Sequence, residues 1–216
     1  MRPGSRAFIR RVKVILWPLC LAPLALLVAG ALGLAGQGLG ANPVETILHT
    51  LGKWGLKFLL LTLAVTPLSR WTGWTWLIAY RRLLGLFAFF YVSLHLTTYL
   101  VLDQWLAWPA IVEDVLERPY ITLGMAAVLL LVPLAATSTR AMMRRLGQRW
   151  RRLHRLIYPA AILGVWHFWW QVKQDILEPL VYAVILGVLL GARLWWFRQR
   201  RTARRAPVAG RPPDLR

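Results

Sequence analysis

Six apolar runs fill most of this chain, at roughly 14–35, 51–69, 83–102, 119–138, 154–172 and 176–196. Each approaches or exceeds the roughly 18–20 residues that a helix, rising about 1.5 Å per residue, needs to cross a hydrocarbon core. In lipid the backbone must satisfy its own hydrogen bonds, so runs of this kind are helices. The connections are too short for a soluble domain, and neighbouring runs should pack antiparallel. The chain is therefore expected to be an all-α integral membrane protein, a six-transmembrane-helix bundle. It divides into an N-terminal segment 1–13, a membrane domain 14–197 and a basic, disordered tail 198–216.

Composition agrees. Of 216 residues, 58% are hydrophobic and only eight are acidic, which a soluble domain of this length would not tolerate. The net charge of +19 could suggest nucleic acid, but its placement argues against that partner. Lys and Arg number five in 1–13, three in 70–82, seven in 139–155 and eight from Arg193 onward. The intervening loops hold seven of the eight acids: Glu45, Asp103, Glu113, Asp114, Glu117, Asp175 and Glu178. Positive charge stays inside, so both termini are expected in the cytoplasm and the acidic loops outside. Trp71, Trp74 and Trp76 mark one interface; Trp105, Trp108, Trp169 and Trp170 mark the other. The basic tail suits attraction to anionic membrane lipid.

Cys20 is the single cysteine, so an intrachain disulfide, a CxxC pair and a CxxCH haem attachment are all excluded. The first run is too long for a signal-peptide core and reads as an uncleaved helix.

Chemistry falls to the four histidines. His95 lies about thirteen residues along the third span, roughly 20 Å, and His167 about fifteen along the fifth. Both spans rise outward, so the two imidazoles share a depth in the outer half of the membrane, while His154 lies near the inner face. A depth-matched pair on different helices suits one b-type haem, and intramembrane ionisable groups are functional by default. A hydrogen-bonded structural pair is the plainer alternative. Zinc would need more converging ligands, and no acid within the spans continues a proton relay. His154 and His167 are thirteen residues apart, a net rotation of about 220° in an ideal helix. Either Pro159 rewinds the helix between them or they face different neighbours.

The stretches LGKWGLKFLLLTLAVTPLSR (51–70), RRLLGLFAFFYVSLHLTTY (81–99) and RPYITLGMAAVLLLVPLAATSTRAMMRRLGQRWRRLHRLIYPAAILGVWHFWW (118–170) resemble the MsrQ (YedZ) family, closely over about 40–172. That family belongs with the ferric reductase and NADPH oxidase transmembrane domains. The resemblance implies a bacterial inner-membrane, multi-pass subunit with b-type haem, one or two, and FMN. It would carry electrons from the quinol pool or a cytosolic flavin reductase to MsrP, a periplasmic molybdopterin enzyme that reduces methionine sulfoxide in oxidised proteins. The sulfoxide chemistry belongs to that partner. In such relatives two helices each carry two histidines 13 or 14 apart. His154 and His167 match one helix and His95 the outer position of the other.

The inner position departs from the pattern, because Arg81 stands where a fourth histidine is expected. Arg81, Arg82, Arg151 and Arg152 ring that level, suited to haem propionates or an FMN phosphate, or simply to positive-inside anchoring. His49, Lys53 and Lys57, at i, i+4 and i+8, suit an outer quinol pocket or a propionate clamp. Alternatively, the lysines snorkel and His49 caps the second span. No GxGxxG loop is present, so the chain is not expected to oxidise NAD(P)H itself. The competing readings are a ferric-reductase-like cytochrome with another acceptor, and a non-redox transporter or scaffold.

Overall fold

The structure, a computed structural model, describes residues 3–34, 38–172 and 176–205. Lys173, Asp175 and the tail from 206 lie outside the described residues. Nine α-helices follow in order among the described residues: α1 Arg6–Ala31, α2 Pro43–Thr72, α3 Arg81–Thr98, α4 Trp108–Glu117, α5 Pro119–Ala136, α6 Arg140–Leu146, α7 Gln148–Leu153, α8 Ile157–Gln171 and α9 Leu177–Arg205. A 3-10 turn, Thr75–Tyr80, leads into α3, and a π-turn, Tyr99–Asp103, ends it. Among the described residues there is no strand.

Five of these helical stretches are long and apolar enough to cross a membrane: Arg6–Ala31, Pro43–Thr72, Thr75–Asp103, Pro119–Ala136 and Leu177–Gln199. The run expected at 154–172 is different. It opens as a 3-10 turn, His154–Leu156, and continues as α8, only 15 residues long. Residues in a 3-10 turn advance about 120° each rather than 100°, which narrows the angular gap between His154 and His167 from about 140° to about 80°. Both histidines consequently meet one neighbour, α5, at its opposite ends.

Several boundaries move outward from the apolar runs. Asn42 caps α2 by accepting from the Glu45 N–H, with Pro43 at the first turn, so α2 starts eight residues before Leu51. Its His49 is internal and caps nothing. At the far end α9 stays helical to Arg205, into the segment expected to be disordered, because Arg, Gln and Ala extend a helix already nucleated.

Helix α2 is the centre of the bundle. Of its most apolar stretch 56% is buried, against 17–22% for the other four. Phe58, Leu63, Phe87, Ala88, Tyr91 and Ala160 form the core around it. Gly55 lets α2 and α3 approach closely, since a Cβ there would lie 2.7 Å from the Val92 Cγ2.

Beside two of the prolines inside helices, a polar side chain from another helix enters the ladder. Beside Pro23, the Tyr91 hydroxyl enters the α1 ladder, donating to the Cys20 carbonyl and accepting from the Leu24 N–H. In α2, Pro67 has no N–H to offer the Leu63 carbonyl. The Arg193 guanidinium from α9 donates to that carbonyl and, at 2.8 Å, to Leu189 O. An orphan carbonyl in hydrocarbon costs several kcal/mol, which gives this intramembrane arginine its structural reason.

The two ends of the bundle differ. Phe8 packs on Trp76, Trp71 meets Trp196, and Arg70 lies 4.7 Å from the Trp196 ring. The basic starts of α1 and α3 and the ends of α2 and α9 thus gather together. Lys53–Glu178 and Asp114–Arg118 pairs occupy the opposite end.

Candidate functional site

Between α2, α3, α5 and α8 lies a cavity of about 220 Å³, apolar along most of its wall, with His95 and His167 in its lining. The two rings are neighbours in a T-shaped arrangement, with centroids 6.2 Å apart and planes at 75°. Each is fixed by the same device on a different helix pair. The His95 Nδ1 lies 2.9 Å from the Leu48 carbonyl of α2, and the His167 Nδ1 lies 2.6 Å from the Tyr120 carbonyl of α5. A carbonyl only accepts, so Nδ1 carries the proton in both rings and Nε2 keeps its lone pair.

Room for each ring comes from a glycine one turn further along. A Cβ at Gly52 would stand 3.0 Å from the His95 Nδ1, and one at Gly124 2.9 Å from the His167 Nδ1. Leu48 with Gly52, and Tyr120 with Gly124, therefore form two equivalent cradles. Neither glycine was legible as functional in the sequence. A glycine inside an apolar helix, where it weakens the helix, is the signal that could have found them.

His49 and Lys53 reach the same cavity, His49 bonding Gln171 (2.6 Å between the two Nε2 atoms) and Lys53 bonding Glu178 at 2.5 Å. Lys57 turns away to stack over Trp54 at 4.6 Å. Tyr99, Asp103 and Arg118 close another part of the wall. Arg118 pairs with Asp114 at 3.0 Å, and its hydrogen bond with Tyr120 together with that carboxylate raises its already high pKa.

His154 is held separately. Its Nε2 lies 3.1 Å from Thr137 Oγ1, and its ring stacks on Trp150 at 3.9 Å. Arg81 lies within electrostatic reach of it, while Arg82, Arg151 and Arg152 are exposed. Among the described residues no histidine ring pairs with His154 as His95 does with His167. Among the described residues, no three His, Cys, Asp or Glu side chains converge to hold a metal by themselves.

Residues 51–165 match the family described as ferric reductase like transmembrane component. With apolar helices of spanning length, this defines a multi-pass membrane protein of the ferric-reductase-like class. Two curated relatives share 54% identity with it: one from Rhodospirillum rubrum, covering 90% of this chain and 93% of its own, and one from Xanthomonas euvesicatoria, covering 90% and 91%. A third, from Xanthomonas axonopodis, is 57% identical over 74% of this chain and 73% of its own. All three are named protein-methionine-sulfoxide reductase heme-binding subunit MsrQ. The chain belongs to the MsrQ family. No solved structure matches it.

Proposed function

We propose that this chain is the haem-binding, electron-transferring membrane subunit of a protein-methionine-sulfoxide reductase, in which His95 and His167 would together hold the iron of one b-type haem. The carrying observation is their separation. Metal–imidazole bonds of roughly 2 Å, plus about 1 Å from each nitrogen to its ring centre, put two ligands on one iron with centroids about 6 Å apart. The observed 6.2 Å fits. Among the described residues no third metal-ligating side chain joins this pair, which suits a macrocycle that would supply the remaining ligands.

Bound haem supplies a one-electron carrier; the protein supplies ligation, orientation and dielectric. The Leu48 and Tyr120 carbonyls fix each ring's tautomer and raise its basicity, as outer-shell partners of metal histidines do. Mostly apolar walls from α2, α3, α5 and α8 give the site a low-dielectric surrounding. Lys53, His49 and Arg118 line the same cavity and suit haem propionates or a quinol headgroup. His154 would take a second haem only by exchanging its Thr137 bond for iron. Arg81, beside His154, with Arg82, Arg151 and Arg152, suits an FMN phosphate or further propionates at the basic end.

The short 154–172 segment completes six spans, both termini are cytoplasmic, and the protein resides in the bacterial inner membrane. Electrons enter from the quinol pool or a cytosolic flavin reductase and leave to a periplasmic MsrP-like molybdopterin subunit docked on the acidic outer loops, mainly 103–118. Support comes from the charge asymmetry of the loops and the names of the relatives. The test is reoxidation of the quinol-reduced chain, in membranes, by an added MsrP-type partner with methionine sulfoxide. Prompt reoxidation is expected; a chain that stays reduced would refute this acceptor.

A further inference from the structure

Helix α4 and the turn before it carry apolar surface that the bundle leaves uncovered. Trp108, Val112 and Leu116 follow at i, i+4 and i+8, within about 80° of one another on the helix. They are 63%, 55% and 78% exposed. The opposite side is anchored: Ile111 and Asp114 are buried, and Asp114 accepts from the Tyr99 hydroxyl at 3.0 Å and from Gln104 at 3.1 Å. The acids Glu113 and Glu117 point a third way, about 140–180° from Trp108. So the helix has three faces, one on the protein, one apolar and one acidic.

The turn is built toward the apolar face at a conformational cost. Trp105 and Leu106 both adopt left-handed backbone, φ 49° and 57°, which side-chain-bearing residues disfavour. The Leu106 N–H bonds the Leu100 carbonyl at 2.8 Å and holds them there. The result is a Trp105 ring 82% exposed. Val101 and Leu102, in the π-turn just before it, are also exposed.

We propose that α4 is an interfacial helix. Its Trp108–Val112–Leu116 stripe and Trp105 are seated among lipid headgroups and upper acyl chains, with Glu113 and Glu117 in water. Three observations select lipid as the occupant. With ten residues, about 15 Å, α4 cannot span a membrane. It joins the ends of two spanning helices, α3 and α5, so it lies at a membrane face. Exposed Val101 and Leu102 precede it in the turn that ends α3, and the two tryptophans are the residue type that settles at that depth. Seated this way, α4 holds Arg118 and the start of α5 over the cavity through the Asp114–Arg118 pair. This seating stands whichever cofactor the histidines bind.

The test uses the full chain in nanodiscs of phosphatidylethanolamine and phosphatidylglycerol, with buried Cys20 replaced by Ala. Nitroxide labels are placed singly through Val112→Cys, Leu116→Cys, Glu113→Cys and Glu117→Cys. Collision with oxygen and with a water-soluble nickel chelate should place the first two roughly 5–10 Å below the phosphates and the last two in water. Equal access of the nickel chelate to all four sites would overturn the proposal. So would Val112 and Leu116 sites that are wet alone and become protected only when a periplasmic partner protein is added, since the stripe would then be a protein interface. Residue-resolved hydroxyl-radical footprinting of the unmodified chain reads the same point without substitutions. Shielded Trp105 and Trp108 are expected, and oxidation of both at the rate of a water-exposed tryptophan would refute the seating.

Discussion

Gly124 and His167 stand so close that a Cβ on the glycine would lie 2.9 Å from the ring's Nδ1, the atom that bonds the Tyr120 carbonyl. Gly124→Ala must therefore push the imidazole off its carbonyl. Overpacking of this kind costs about 1–3 kcal/mol, so haem binding should weaken roughly 5- to 150-fold. Gly52→Ala should act the same way, more mildly, at 3.0 Å from His95. Haem per chain in a haem titration reads both.

Arg193 and Pro67 form a second linked pair. Arg193→Leu leaves the Leu63 carbonyl with neither an arginine nor an N–H, and should lower stability by about 1–3 kcal/mol. Adding Pro67→Ala returns an N–H to that carbonyl and should recover part of the loss. Thermal unfolding of the two single variants and the double variant checks this. A double variant no better than Arg193→Leu alone would separate the two residues.

The Lys53–Glu178 pair is about a third exposed on each side, so its loss should change stability by less than about 1 kcal/mol. Its electrostatic effect on a carrier between His95 and His167 has a definite sign. Removing the cation favours the oxidised, more positive state, and removing the anion favours the reduced one. Lys53→Met should lower the midpoint potential and Glu178→Gln raise it, each by roughly tens of millivolts at an effective dielectric near 20. Redox titration measures both.

His154 is anchored by Thr137 and Trp150, away from the His95–His167 pair. His154→Ala should leave the spectrum of the outer haem unchanged, and haem per chain in that variant counts any second haem directly. Thr137→Val should likewise spare the outer haem.

Five of the six expected spans, and the nearness of His95 to His167, were legible because run length and position along a helix are properties of one segment. Contacts between segments were not. Nothing in the sequence ties His95 to Leu48 and Gly52, or His167 to Tyr120 and Gly124, since those relations exist only once helices pack. Arg193 counted as one more inside charge, yet it satisfies the carbonyl that Pro67 orphans. The His49 side chain, read as a cap or as part of a quinol pocket or propionate clamp, bonds Gln171 from within α2. The 103–118 segment read as a loop, although WPAIVEDVLE carries apolar residues at helical spacing and forms α4.

The most direct measurement of the central claim is the reduced-minus-oxidised absorbance spectrum, with haem per chain, of the wild type, His95→Ala and His167→Ala purified from haem-replete cells. A b-type band is expected in the wild type, with loss of the same haem in each variant. A wild type without haem, or both variants with full haem content, would contradict it.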